Sequence, residues 1–199
     1  MPSPAPQDSE LPARERILST AHDLFYRDGI RATGVDRLIA ESGVAKLTFY
    51  RHFQSKDALV RAFLDHRHAR WMAWFIDALG RHGAAGAATG SAHLMLLADV
   101  LAEWCAQPDF RGCAFINTVV ELGPSMPEAT AVVQAHKAEM TQVIAQLLPE
   151  GPTQGLLADA AAMAFDGAIV RAQMAGEAAG RDAAVATLRA VLGALVARR

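Results

Sequence analysis

The chain has 199 residues, 52% hydrophobic and 20% charged, which places it among ordinary globular proteins with enough interior for one or two domains. Its formal net charge of −2 says nothing about nucleic acid, but residues 1–70 hold 11 Lys+Arg against 9 Asp+Glu while residues 71–199 hold 8 against 12. A mildly basic front and an acidic rear fit a DNA-facing end joined to a body that does not touch DNA. The two cysteines, Cys105 and Cys113, exclude a disulfide framework and read as buried free thiols. No run reaches the roughly 18 uncharged apolar residues of a membrane span. The Pro- and Ser-rich start lacks the basic-then-apolar order of a secretory signal, so a cytoplasmic protein is expected. Ala and Leu dominate and apolar residues recur at spacings of three and four, which predicts an all-α fold of about nine helices.

Residues 1–12 read as a disordered arm. A first helix is predicted over Ala13–Asp28, with Ile17, Leu18, Ala21, Leu24 and Phe25 on one stripe and Gly29 as a left-handed stop. Short helices follow over Val35–Ser42 and Ala45–Phe53, separated by Gly43. Ser55 caps a fourth helix that dissolves near Arg81; at 1.5 Å per residue it spans roughly 35–40 Å, enough to pass from one domain into another. His82–Gly90 reads as a linker, Ser91 as the cap of a fifth helix reaching Gln107, and Arg111–Leu122 as a sixth. Ser125 and Glu128 form a capping box for a seventh helix reaching Leu148. An eighth helix is predicted from Thr153 to Ala175, and a ninth from Asp182 to Arg198.

The informative stretch is Thr33–Lys56. Two short helices meet at Gly43, where a sharp turn favours a residue that tolerates positive φ. Leu38, Ile39, Val44, Phe49 and Phe53 are spaced to pack those helices together, which leaves Lys46, Leu47, Thr48, Tyr50, Arg51 and His52 facing outward. That face is polar, basic and aromatic, and it suits a helix lying in a major groove about 12 Å wide. Thr33 and Lys56 sit at helix N-termini, where backbone N–H groups favour phosphate.

The run from Gly43 to Leu59, with Thr48, Tyr50, His52, Phe53 and Lys56 in order, resembles the DNA-binding signature of the TetR/AcrR family of regulators. Arg16–Phe25 with Gly29 is similar to that family's first helix, and the strong match covers roughly residues 13–65. The resemblance implies that Lys46 and Thr48 face the groove, that Tyr50, His52, Lys56 and Thr33 touch phosphate, and that Arg51 is free to read a base edge. Ala45 and Leu47 depart from the common Ser and Gly, so Ala45 cannot cap the recognition helix and Leu47 is set to meet a thymine methyl.

The same resemblance implies domains over 13–55 (helix-turn-helix) and 56–199 (effector binding and dimerisation), an effector pocket among helices four to seven, and a homodimer through helices eight and nine. Candidate pocket residues are Trp71, Trp74, Phe75, Trp104, Phe110, Phe115, Asn117, Glu121, His136 and Met140, with Glu103 and Met126 beside them. Candidate interface residues are Leu157, Ala161, Phe165, Ala168, Leu188, Leu192 and Leu195, from helices apolar over more than one stripe. The function implied is a sequence-specific regulator, a repressor by default, that binds a near-palindromic operator and is released by a small molecule. No cofactor, membrane partner or enzyme activity is expected: His66 and His68 are two apart on a helix and make a poor metal pair, and no nucleophile or phosphate-loop motif stands out. The alternative is a small-molecule carrier or metal-responsive helical protein with a vestigial helix-turn-helix, its ligands drawn from His93, Cys105, Cys113 and His136.

Overall fold

The computed structural model describes residues 11–85 and 90–197, so the arm expected over 1–12 lies, but for its last two residues, outside the described residues. Among those described there are nine α-helices, one 3-10 helix and no strand. The helices are α1 Ala13–Asp28, α2 Val35–Ser42, α3 Lys46–His52, α4 Lys56–Ala85, α5 Leu96–Cys105, α6 Ala114–Leu122, α7 Pro127–Ala145, α8 Gln154–Ala175 and α9 Ala178–Ala197. By packing, the chain divides into two units. One holds the described residues through His68 together with Ala114–Val133, and the other holds Ala69–Cys113 and the described residues from Gln134 onward.

In the first unit α1 packs against α2 and α3, and Ile17, Leu24, Leu38, Phe49, Leu59, Phe63 and Leu64 are each exposed by 1% or less. Removing each such side chain from water stabilises the unit by roughly 1.5–3 kcal/mol. Gly43, at φ 63 and ψ 31, supplies the left-handed turn between α2 and α3, where a Cβ would be strained. Gly29 differs from the expected left-handed stop: it has φ 93 but an extended ψ of 154, which sends the chain away from α1 into the turn ahead of α2. Ser55 caps α4 as predicted, its Oγ accepting the Ala58 N–H at 3.0 Å. Between α1 and α4, the Arg67 guanidinium lies 4.3 Å from the Tyr26 ring centre and reaches His22 Nε2 at 3.0 Å. A guanidinium only donates, so Nε2 accepts, and the His22 proton sits on Nδ1 facing Asp23 Oδ1 at 3.0 Å.

In the second unit α4 continues to Ala85, so residues 82–85 of the expected His82–Gly90 linker are helical, and residues 86–89 lie outside the described residues. Side chains hold this last turn: Arg81 forks onto Glu103 at 2.7 and 3.0 Å, and His82 Nε2 meets the same carboxylate at 2.8 Å. The ion pair with Arg81, helped by His82, keeps the Glu103 carboxyl below its ordinary pKa. The fifth segment opens as a 3-10 helix, Gly90–Met95, and becomes α-helical only at Leu96; the cap expected at Ser91 falls among side chains outside those described. Residues 111–113 are irregular, with a bend at Gly112, and α6 begins only at Ala114. The capping box at Ser125 is not formed, because α7 starts at Pro127 and the Ser125 hydroxyl donates to the Leu122 carbonyl at 3.1 Å. The Gln154 side-chain amide takes the carbonyls of Ala145 and Leu148 at 3.0 and 3.3 Å, where α7 ends three residues ahead of expectation. α8 and α9 form a tightly packed pair, with Ala158, Ala161, Phe165, Ala168 and Ala172 facing inward alongside Ala184, Leu188 and Leu192.

Candidate nucleic-acid interface

Two buried rings anchor α3. Phe49 is fully buried and Phe53 nearly so, and these two residues turn the opposite face of a seven-residue helix toward solvent. Leu47 is 83% exposed, Tyr50 is 41% exposed, and Lys46 and Arg51 are exposed beside them. Thr48 and His52 are half-buried. Tyr50 meets Phe49 edge-on at 5.4 Å, which steadies the phenol without consuming its hydroxyl. The Lys46 ammonium sits 3.8 Å from Asp36 with both groups well exposed, a contact that water and salt largely screen. Nearby Arg37 is engaged by Asp28 at 2.9 Å and Glu41 at 2.7 Å.

Lys56, the first residue of α4, is half-buried. Burial pushes its ammonium below the ordinary lysine pKa, and the charges of Glu121 and Asp57 pull it back up. A partly dehydrated cation at a helix start gains more from an arriving phosphate than a fully solvated one does.

Thr33 requires a correction. It is fully buried, its hydroxyl donates to the Gly29 carbonyl at 2.8 Å and its N–H to the Ile30 carbonyl at 3.3 Å, so neither donor is available to phosphate. Its work is to hold the turn between α1 and α2. Glu121 requires another: its carboxylate accepts the Arg31 N–H at 2.8 Å and lies against Gly29, which commits it to that same turn rather than to a pocket. Arg16, whose Nη2 points at the Gly43 carbonyl 3.5 Å away, also braces the helix-turn-helix. Neither partner pair was legible in sequence, since Glu121 and Arg31 are 90 positions apart and Arg16 and Gly43 are 27 apart.

Of the residues expected to line a pocket, the second unit gathers Trp71, Trp74, Phe75, Trp104, Phe110 and His136 into one aromatic cluster. Trp71 stacks on Phe75 at 4.7 Å and meets His136 at 5.3 Å and Trp104 at 5.7 Å, while Trp104 meets Phe110 at 5.4 Å. The Trp71 indole N–H is buried and has no acceptor among the described residues. Met140 is buried in the same unit, whereas Phe115 and Asn117 stand on α6 in the first. Among the described residues no three His, Cys, Asp or Glu side chains are arranged to hold a metal ion, so His93, Cys105, Cys113 and His136 are not gathered into a ligand set.

The interface residues expected on α8 and α9 divide by burial. Ala161, Phe165, Ala168, Leu188 and Leu192 are buried within the protomer and have almost no surface left to bury against a second chain, and Leu157 and Leu195 are half-buried. The apolar side chains these helices leave in solvent are Leu156, Met163 and Met174 on α8, exposed by 72, 76 and 80%, and Val191 on α9.

The profile of bacterial regulatory proteins of the tetR family matches residues 17–63, and that of the tetracyclin repressor-like C-terminal domain matches residues 90–192. The chain is 43% identical over 47 residues to the uncharacterized HTH-type transcriptional regulator YerO of Bacillus subtilis, a match covering 24% of this chain and only 16% of that protein. It is 23% identical over 153 residues to the HTH-type transcriptional regulator UidR of Escherichia coli, covering 75% of this chain and 71% of the relative. The crystal structure of SCO4454, a TetR-family transcriptional regulator from Streptomyces coelicolor, superposes with a TM-score of 0.78 at 29% identity, over 94% of this chain and 95% of that one. No helix among the described residues is long and apolar enough to cross a membrane.

Proposed function

The chain belongs to the tetR family of bacterial regulatory proteins, and from that premise we propose that it is a homodimeric repressor that reads operator DNA through α3 and is released by a small molecule bound in its second unit. The observation that carries the DNA-reading role is the split of α3 into a buried aromatic back, Phe49, and a solvent face of Lys46, Leu47, Tyr50 and Arg51. Lys46 and Arg51 carry the donors suited to guanine edges, and Leu47 offers apolar contact for a thymine methyl. Tyr50, His52 and Lys56 take phosphates, which sets register without reading sequence.

Release by a small molecule rests on the aromatic cluster. A buried indole N–H at Trp71 with no acceptor among the described residues favours an apolar effector that carries a hydrogen-bond acceptor. The dimer rests on Leu156, Met163 and Met174, large apolar side chains of α8 that the protomer leaves uncovered.

The test is binding of wild-type, Tyr50→Phe, Lys46→Ala and Lys56→Ala proteins to a selected operator across a salt series. Removing Lys56 weakens all sequences alike and lowers the salt slope by about one unit per subunit. A base-reading role for Lys46 costs about 1–3 kcal/mol and relaxes one position of each half-site. Wild-type binding by all three folded variants would overturn the assignment of this surface.

A further inference from the structure

Arg14, Arg67 and Arg181 each hold a guanidinium over an aromatic ring. In Arg67 and Arg181 the side chain is half-buried and already donates inside the fold, to His22 Nε2 at 3.0 Å and to the Cys105 carbonyl at 2.9 Å. Arg14 is the exposed one. Its guanidinium carbon stands 5.3 Å from the Phe53 ring centre, and its side chain enters no ion pair or hydrogen bond among the described residues. Glu15 beside it and Asp57 in the first turn of α4 are exposed acids, and neither pairs with it. Contact with a ring spends none of the five N–H donors on an acceptor. It also restrains the long side chain in advance, so less freedom is lost when the head group engages an anion.

The place of this arginine matters as much as its free donors. Phe53 is the C-cap of α3 and is buried, so Arg14 lies across the rim of the core where α3 ends and α4 is about to begin. The packing of α1 on α3 keeps the two together within the first unit. His52 directly precedes Phe53, and Lys56 follows three residues later with a partly dehydrated ammonium. Arg14 therefore adds a third cation, after Arg51 and Lys56, to this end of the helix-turn-helix, from a helix that the sequence assigned only to packing. We propose that Arg14 is a phosphate-binding residue of the DNA interface, presented by Phe53 to the backbone at the α3–α4 end, where it takes a phosphate of its own beside that of Lys56. The inference rests on α3 being the DNA-reading helix, and it adds a contact from α1 that sets register without reading sequence.

The experiment uses the full chain, the operator selected by the wild-type protein and a random duplex of equal length, titrated across a salt series. Arg14→Met keeps an apolar stem over Phe53 and removes the charge. It melts near wild type, weakens both duplexes alike by about ten-fold and lowers the salt slope by about one unit per subunit. Arg14→Lys, which keeps the charge, keeps the slope. Arg171→Met, which removes an exposed cation from α8 instead, leaves affinity and slope unchanged. Replacing single operator phosphates by uncharged methylphosphonates locates the contact: at one position of each half-site, Arg14→Met costs nothing further. An unchanged slope for Arg14→Met, with or without a lower melt, would overturn the proposal, because the arginine then only covers Phe53. If Lys46→Ala and Lys56→Ala still weaken binding in that case, the reading face on α3 stands without it. If Lys46→Ala, Tyr50→Phe and Lys56→Ala all bind like wild type, the reading face falls and this contact falls with it.

Discussion

Glu121 ties α6 to the turn ahead of α2, with its carboxylate on the Arg31 N–H at 2.8 Å and its charge felt by Lys56. Two functions can be separated there by substitution. Glu121→Gln keeps an oxygen for the Arg31 N–H and removes a negative charge that competes with phosphate for Lys56. It is expected to melt near wild type and to bind operator several-fold more tightly, a gain that fades at high salt. Glu121→Ala loses the acceptor too, and is expected to melt lower by the equivalent of about 1 kcal/mol. Thermal melts and operator titrations of the two variants check both statements. Cys105 gives a pH prediction. Its thiol ionises near 9 when free and near 11 in the fold, so between those values the unfolded chain loses a proton that the folded chain keeps. Stability from this group is intact below pH 9 and falls as pH rises toward 11. Cys105→Ala should flatten that alkaline loss in melts taken at steps across the window.

At the scale of elements, the two faces of α8 and α9 have different jobs, and substitutions on them should fail in different ways. Phe165 and Leu192 fill the protomer interior. Phe165→Ala is expected to cost about 3–5 kcal/mol in chemical denaturation, and a charge at Leu192 to unfold the protomer itself instead of only dissociating a dimer. Met163 and Met174 point into water. Replacing both with Glu is expected to leave the melting of the monomer intact and to halve the mass seen by sedimentation at micromolar concentration. A wild-type mass of one subunit would remove the dimer from the proposal.

For the whole molecule, a ligand and an operator bound to one protein must affect each other equally if they affect each other at all. The coupling expected between effector and operator is about 1–3 kcal/mol, so a saturating effector weakens operator binding by roughly 5–150-fold. Trp71, Trp74 and Trp104 lie within 6.3 Å of one another, so their fluorescence reports ligand entry directly. If ligands that change this fluorescence never change operator affinity, the aromatic cluster is not regulatory. A two-fold dimer further requires a near-palindromic operator with half-sites about one helical turn apart, or a multiple of it, which footprinting measures.

The amino-acid order alone determined the helical class, the span of α1 and α2, the Gly43 turn, the Ser55 cap and the identity of the solvent-facing helix of the helix-turn-helix. Those features depend on periodicity, a single positive φ or a bond to a residue three positions on, and such local causes can be read from spacing. Tertiary structure decided what spacing cannot carry. Thr33 precedes a helix, as a phosphate contact would, yet the Gly29 carbonyl and the surrounding core claim it. Glu121 has the polarity of a pocket group, yet its partner lies 90 residues earlier. The inner and outer faces of α8 cannot be told apart in sequence, because an Ala-rich helix is apolar nearly all round and only packing against α9 shows which side is already buried. Arg181 is one cation among many in the sequence, and only folding sets its Nη1 on the Cys105 carbonyl at the end of α5 and buries its Nε.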